Sequence, residues 1–170
     1  MSQPEVWLRG PVEGIEPLLM PVAHALLGAR EDIERAVADL PPEDLWARPG
    51  GAASAGFHVM HAAGSLDRLF TYARGEALSD EQRRALEREK DPGDPPPDAA
   101  ELLRGLAETV DRALAQLRAT PASALLDPRG VGRLQLPSNV LGLLFHAAEH
   151  TQRHTGQVIS TTKIVRGGGG

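Results

Sequence analysis

Residues 143–157 read LLFHAAEHTQRHTGQ, and the three histidines of this stretch stand at successive spacings of four residues. We expect a long helix that starts at Ser138, directly after Pro137, and runs to about Val165. Such a helix would be roughly 40 Å long at 1.5 Å per residue. Because residues four apart share a helix face, two neighbouring histidines of the three can direct ring nitrogens at one cation.

Four clusters of prolines and glycines divide the chain, and the long segments between them have apolar residues at helical spacing. Alanine and leucine also far outnumber valine and isoleucine, which favours helix over sheet. The predicted long helices are residues 21–39, residues 53–74 with Ser54 as N-cap, a third that opens with the capping-box spacing of Asp98 and Glu101 and continues to Leu117, and residues 138–165. The charged residues 80–91 predict a short exposed helix. The sequence therefore predicts an all-α fold, a four-helix bundle with an extra short helix and long loop connections.

The length of 170 residues fits a single domain, predicted to span residues 1–166 and to be followed by a flexible glycine tail, residues 167–170. A formal net charge of −5 makes nucleic acid an unlikely partner. We find no apolar run that could span a membrane and no signal peptide near Glu5 and Arg9, so we expect a soluble, cytoplasmic protein. Cysteine is absent, which excludes disulfides, thiolate metal sites and a cysteine nucleophile.

Five of the six histidines fall in two predicted helices. They are His58 and His61 in the second helix, and His146, His150 and His154 in the fourth. The geometry of a helix allows either the first or the last two histidines of the fourth helix to bind one ion, and does not choose between these pairs. The sixth, His24, stands alone on the first helix, and we expect it to be structural.

The residues from His146 to His150 also read His-x-x-Glu-His, the inverted zinc-peptidase signature. That chemistry needs a further ligand, usually a downstream carboxylate, and no aspartate or glutamate follows His150. We therefore interpret this match as accidental.

The second helix, GFHVMHAAGSLDRL (residues 56–69), and residues 143–157 resemble the two signature helices of the DinB-like superfamily, which includes relatives of bacillithiol S-transferases. The resemblance covers nearly the whole chain in helix order, in the long connection before the fourth helix and in the His-x-x-x-His-x-Gly-Gln ending. It implies that the metal ligands are His150 and His154, with His61 from the second helix, the histidine directly followed by two alanines. His58 is the alternative second-helix ligand.

Three neutral imidazoles leave a divalent ion with open coordination positions, as in catalytic rather than structural sites, and suit zinc, nickel, iron or copper. The resemblance implies a divalent-metal-dependent enzyme acting on a small-molecule substrate, either a transferase that uses a low-molecular-weight thiol such as bacillithiol or a hydrolase. It also implies a homodimer. The alternative is a non-catalytic, stress-related helical bundle that binds a metal or another ligand. The residues predicted to contact a ligating ring or a substrate are His58, His146, Gln157, Arg68, Arg153, Glu149 and Asp67; no catalytic residue is assigned.

Overall fold

The computed structural model describes residues 3–167, and helices dominate this part of the chain. The six helices are α1 (Met20–Val37), α2 (Pro42–Leu45), α3 (Ala55–Ala73), α4 (Asp80–Arg88), α5 (Ala99–Ala119) and α6 (Val140–Gly167). Short 3-10 turns precede α1, α3 and β1, and β1 (Pro128–Val131) pairs with β2 (Leu136–Asn139). The predicted helical fold is confirmed, with α4 as the predicted short helix, and α2 is a second short helix that the sequence did not predict.

The four long helices α1, α3, α5 and α6 form the bundle, and each packs against two of the others. Going round the bundle, α1 contacts α6, α6 contacts α3, α3 contacts α5, and α5 returns to α1. Completely buried leucine and isoleucine side chains from all four helices fill the centre, including Leu26, Ile33, Leu66, Leu106 and Leu144. This order makes neighbours of α3 and α6, the two helices that carry five of the six histidines.

The caps predicted from the sequence are present in the structure. The Ser54 hydroxyl accepts a hydrogen bond of 3.1 Å from the Phe57 backbone N–H and so begins α3. At the start of α5, the Asp98 and Glu101 side chains each accept a hydrogen bond from the other residue's backbone N–H, which completes a capping box. Local side-chain chemistry therefore sets where these two helices start.

The long connection before α6 contains an antiparallel hairpin, which the all-α prediction missed. Pro128 pairs with Asn139 and Val131 with Leu136, and the turn between the strands includes Gly132 at φ +67°. Each strand has only four residues, and none of them is buried. Such short strands, with a proline in each, lack the apolar alternation that identifies a strand in a sequence.

The ends of α6 differ slightly from those predicted. Ser138 lies in β2, and the helix starts two residues later, where the Asn139 side chain accepts a hydrogen bond of 2.7 Å from the Gly142 N–H. Gly167, predicted as the first residue of the glycine tail, is instead the last residue of α6. The other three residues of that predicted tail, 168–170, lie outside the described residues. Within residues 3–167, no helix combines the length and the apolar character needed to cross a bilayer.

Replacement of Ser54 by alanine should lower the free energy of unfolding by about 1 kcal/mol, because the variant leaves an N–H of α3 without its acceptor in a buried part of the bundle. Urea denaturation measures this loss. Ser79→Ala is the matched control, since Ser79 caps the exposed α4 in the same way, and α4 can fray without unfolding the bundle. An equal loss in the two variants would contradict this account of α3.

Candidate metal centre

Three histidines from two neighbouring helices converge between α3 and α6. His61 comes from α3, and His150 and His154 come from successive turns of α6. Each offers a ring nitrogen, and the three nitrogens all lie within 4.8 Å of one another. The ring centroids of His61 and His154, and of His150 and His154, are 4.6 Å apart. Within residues 3–167, this is a group of side chains that could hold a metal ion.

A buried carboxylate fixes the orientation of the His61 ring. His61 Nδ1 lies 2.7 Å from Oε2 of Glu89, the residue that ends α4. The other carboxylate oxygen, Oε1, accepts a hydrogen bond of 2.5 Å from Arg68 Nη1. The Phe57 ring stacks on the His61 ring, nearly parallel to it, with the ring centroids 5.5 Å apart. The ring is thus held by a hydrogen bond and by an aromatic contact.

His58 contacts the centre through His154 instead of joining the group of three. Its Nδ1 lies 3.0 Å from His154 Nδ1, and both side chains are buried. One hydrogen bond between two nitrogens uses one proton, so one of the two rings is the donor and the other the acceptor. If His154 donates from Nδ1, its Nε2 is left with a free lone pair. In this arrangement His58 orients a candidate ligand.

The buried histidines are held in the neutral form, which is the form that binds metals. Burial, together with the charge of the neighbouring His61, lowers the pKa of His58 and of His150. Burial and the three surrounding histidines lower the pKa of His154 to about 4. Burial alone would oppose ionisation of Glu89, but the hydrogen bonds from His61 and Arg68 outweigh it and lower the pKa of that carboxyl. At neutral pH His58, His150 and His154 are therefore neutral, and they lie beside one ionised carboxylate.

The residues present fit a transition-metal ion on two observations. His61 Nε2 and His150 Nε2 lie 3.1 Å apart. Two nitrogens that bind one zinc ion tetrahedrally at about 2.05 Å would lie roughly 3.3 Å apart. In addition, His150 Nδ1 is buried and finds no hydrogen-bond partner among residues 3–167. A buried polar atom without a partner is costly, and a functional role or a bound ion is a usual explanation for it.

The two acidic residues predicted to contact a ligating ring lie elsewhere. Asp67 accepts a hydrogen bond of 2.6 Å from Gln82 on α4. Glu149 pairs with Arg153 on the outer face of α6 and lies 3.5 Å from Nδ1 of His146. His146 is more than half exposed, and its ring centroid is 5.6 Å from that of His150. These α6 side chains form a polar rim beside the centre and do not hold its rings.

The remaining residues predicted around the site have separate positions. Arg68 is buried and pairs with Glu89, whereas Gln157 is exposed although His154, three residues earlier, is buried. His24, predicted to be structural, lies with Nε2 2.9 Å from the carbonyl oxygen of Gly10. The structure thus brings together His61, His150 and His154. His58 contacts His154, and Arg68 contacts Glu89 beside His61. Their roles as ligands and supporting groups stay predictions.

Glu89 is the site residue that sequence reasoning missed. It lies 28 positions after His61 and ends a helix whose charges predicted only a solvated face. One signal was available in Gly64, a glycine in the middle of α3 one turn after His61. A Cβ built on Gly64 would lie 3.3 Å from the carboxyl carbon of Glu89 and closer still to its Oε1. A mid-helix glycine costs stability, so it indicates that another group approaches the helix there.

Comparisons with known proteins agree with this fold. A scan against protein families matches residues 25–158, well over half of the chain, to the DinB superfamily. The chain belongs to the DinB superfamily. One solved structure, described as the conserved protein of a locus from Enterococcus faecalis, is similar to this DinB-superfamily chain with a TM-score of 0.69 and 18% identity. The match covers 88% of this chain and 97% of that one, and at this identity it shows the fold alone. A search of curated proteins found no match.

We expect the protein, purified without a nickel-affinity step and dialysed against zinc, to retain about one ion per chain. His61→Ala and His154→Ala should each lose the ion, because either change removes one of the three converging nitrogens. Elemental analysis measures the stoichiometry. His24→Ala is the matched control, since His24 lies on α1 outside the group. Equal metal contents in all four proteins would contradict the assignment.

Proposed function

We propose that this protein is a divalent-metal-dependent enzyme that acts on a small molecule, with His61, His150 and His154 as the metal ligands. The observation that carries the proposal is the donor set: three imidazoles whose ring nitrogens lie within 4.8 Å of one another, with no carboxylate among them in the described part of the chain. A divalent ion held by three neutral ligands keeps its charge and an open position, which is the arrangement of catalytic sites.

Access from solvent supports a catalytic role over a structural one. The His61 side chain keeps 23% of its surface exposed, and His146 beside His150 is exposed. Glu89 and Arg68 are buried, so an incoming molecule would approach through the exposed surface of His61 and His146. Since Glu89 and Arg68 carry opposite charges, the pair adds little net charge to the site. The site as a whole therefore favours an anionic partner for the ion.

A small-molecule thiol is the first candidate for that anionic partner. A divalent ion in this position lowers the pKa of a thiol or of water that binds to it and makes either one a nucleophile at neutral pH. The protein has no cysteine of its own, so a thiol must come from outside the chain. The family resemblance favours bacillithiol-type S-transfer over hydrolysis, and Arg153 on the rim is the side chain available to contact the carboxylates of such a thiol.

The chain's own residues have distinct tasks in this proposal. His61, His150 and His154 present their converging ring nitrogens, and the neutral form of His150 and His154 leaves their lone pairs free at neutral pH. Glu89 holds the proton on His61 Nδ1. Phe57 covers the face of the His61 ring and limits the entry of water from that side. His146, with Glu149 3.5 Å from its Nδ1, is the rim group placed to exchange protons with solvent.

Turnover tests the proposal. The metal-loaded protein is assayed with monochlorobimane and bacillithiol, and separately with simple esters, with and without added zinc. We expect conjugation of the thiol that depends on the metal, and we expect a His61→Ala, His150→Ala, His154→Ala triple variant to fall to the uncatalysed background.

The outcomes separate the candidate functions. Metal-dependent ester cleavage without thiol conjugation would make the protein a hydrolase. One bound ion per chain with no turnover of either substrate class would support the second candidate, a non-catalytic binding bundle. This candidate stays open because the sequence offers no unmistakable general base beside the three histidines. Equal rates in the wild type and in the triple variant would reject catalysis at this centre. His24→Ala, again outside the group, controls for the effect of removing a histidine.

A further inference from the structure

Helix α4 is unusual because it contributes nothing to the core of the bundle. Seven of its nine residues are charged or amide side chains, and none of Asp80–Arg88, all of which the structure describes, is buried. Glu89, the next residue, is only 5% exposed. A buried carboxylate is expensive unless it is paired, so a helix that buries this one group and no apolar residue needs an explanation other than hydrophobic packing.

Polar contacts hold α4 on α3 at two points. Near its start, Gln82 Nε2 donates hydrogen bonds to Asp67 Oδ2 at 2.6 Å and to Thr71 Oγ1 at 2.7 Å. At its end, Glu89 accepts from His61 and Arg68. Between these points α4 borders a groove of about 740 Å³, which it shares with α3 and α5. The helix therefore bridges a space and is not packed against its neighbours along its length.

The surface of α3 is shaped to receive the Glu89 carboxylate. Gly64 lies between His61 and Arg68 on one face of α3, and a Cβ there would meet Glu89 Oε1 and, at 2.8 Å, Arg68 Nη1. A side chain at position 64 would therefore require the Glu89 carboxylate or the Arg68 guanidinium to shift. Gly64, Arg68 and Glu89 therefore lie in contact at one place on the surface of α3.

The carboxylate determines which nitrogen of His61 carries the proton. An ionised carboxylate can only accept, so the hydrogen bond of 2.7 Å places the proton on Nδ1. Neutral His61 then has its lone pair on Nε2, the nitrogen that lies 3.1 Å from His150 Nε2. The same hydrogen bond restrains rotation of the ring. A carboxylate behind a ligating histidine commonly fixes tautomer and orientation in this way.

We propose that α4 is a positioning element, and that it holds Glu89 on His61 so that the ring is fixed with its Nε2 lone pair facing the other two histidines. Glu89 is therefore a positioning residue and not a ligand, and Gly64 is the residue that admits it. This inference rests on the proposed metal site but requires no turnover, so it is tested without any enzyme assay.

The first measurement uses metal-free protein. Long-range ¹H–¹⁵N NMR of the histidine rings reports which nitrogen of His61 is protonated. We expect the Nδ1–H tautomer in the wild type, and a shift towards Nε2–H in Glu89→Ala and in Gly64→Ala. Glu89→Gln keeps an oxygen that can accept from Nδ1–H and should retain the wild-type tautomer. A protein that merely lost stability would not show this pattern.

The second measurement is zinc affinity by competition with a chelator. Glu89→Ala and Gly64→Ala should each weaken binding by roughly 10- to 100-fold, with a smaller loss in Glu89→Gln. The control is Glu87→Gln, which removes an exposed carboxylate from α4 itself and should leave affinity and the His61 tautomer unchanged. Gly64→Ala keeps both Glu89 and Arg68, and alanine favours helix, so it decides the question if Glu89→Ala does not fold.

Two results would overturn the inference. One is an Nε2–H tautomer of His61 in the metal-free wild type, and the other is a tautomer and zinc affinity in folded Gly64→Ala equal to those of the wild type. Zinc binding with the expected variant effects but without turnover would contradict the proposed enzyme and support the role of Glu89. If the wild type bound no zinc, the proposed metal site would fail, and the NMR result would still decide whether α4 positions His61.

Discussion

Close packing of α3 against α6 is the constraint on which the candidate centre depends. Small buried residues flank the histidines on both helices, with Ala62 on α3 and Ala147 and Thr151 on α6. Since interaxial distance depends on the side chains at the contact, small residues allow the two backbones to approach. The rings of four histidines from the two helices then contact one another directly. Burial lowers the pKa of His58, His150 and His154 and keeps these rings neutral, because clustered imidazolium ions in a poorly solvated place would repel one another.

The three histidines of the centre differ in the hydrogen-bond partner of their second ring nitrogen. The sequence does not reveal this difference. His61 has a charged acceptor in Glu89, His154 shares one proton with His58, and His150 has a buried Nδ1 without a partner among residues 3–167. A carboxylate acceptor makes an imidazole a stronger donor to a metal than a neutral acceptor does. His61 is therefore the most firmly oriented of the three candidate ligands, and His150 is the least.

Features set by local chemistry were predictable from the sequence, and features set by distant contacts were not. Ser54, Asp98 and Glu101 cap their helices as predicted because a cap involves only three or four consecutive residues. The spacing of His150 and His154 likewise follows from helix geometry alone. Glu89 could not be placed, since its contact with His61 depends on where a solvent-exposed helix docks. The hairpin of β1 and β2 was missed because its strands are short and exposed, so burial leaves no pattern in their residues.

Arg68 forms a buried ion pair with Glu89, and its positive charge has a role in how the carboxylate acts on His61. An isolated carboxylate beside His61 would favour the doubly protonated ring, which cannot bind a metal. Arg68 contacts the carboxylate oxygen Oε1 at 2.5 Å and supplies positive charge that is independent of pH. The hydrogen bond and the charge of Arg68 therefore favour the ionised form of the Glu89 carboxyl, and the guanidinium balances its negative charge. Buried ion pairs contribute little to stability on average, so the arrangement is better explained by the geometry it imposes on His61 than by the energy of the pair.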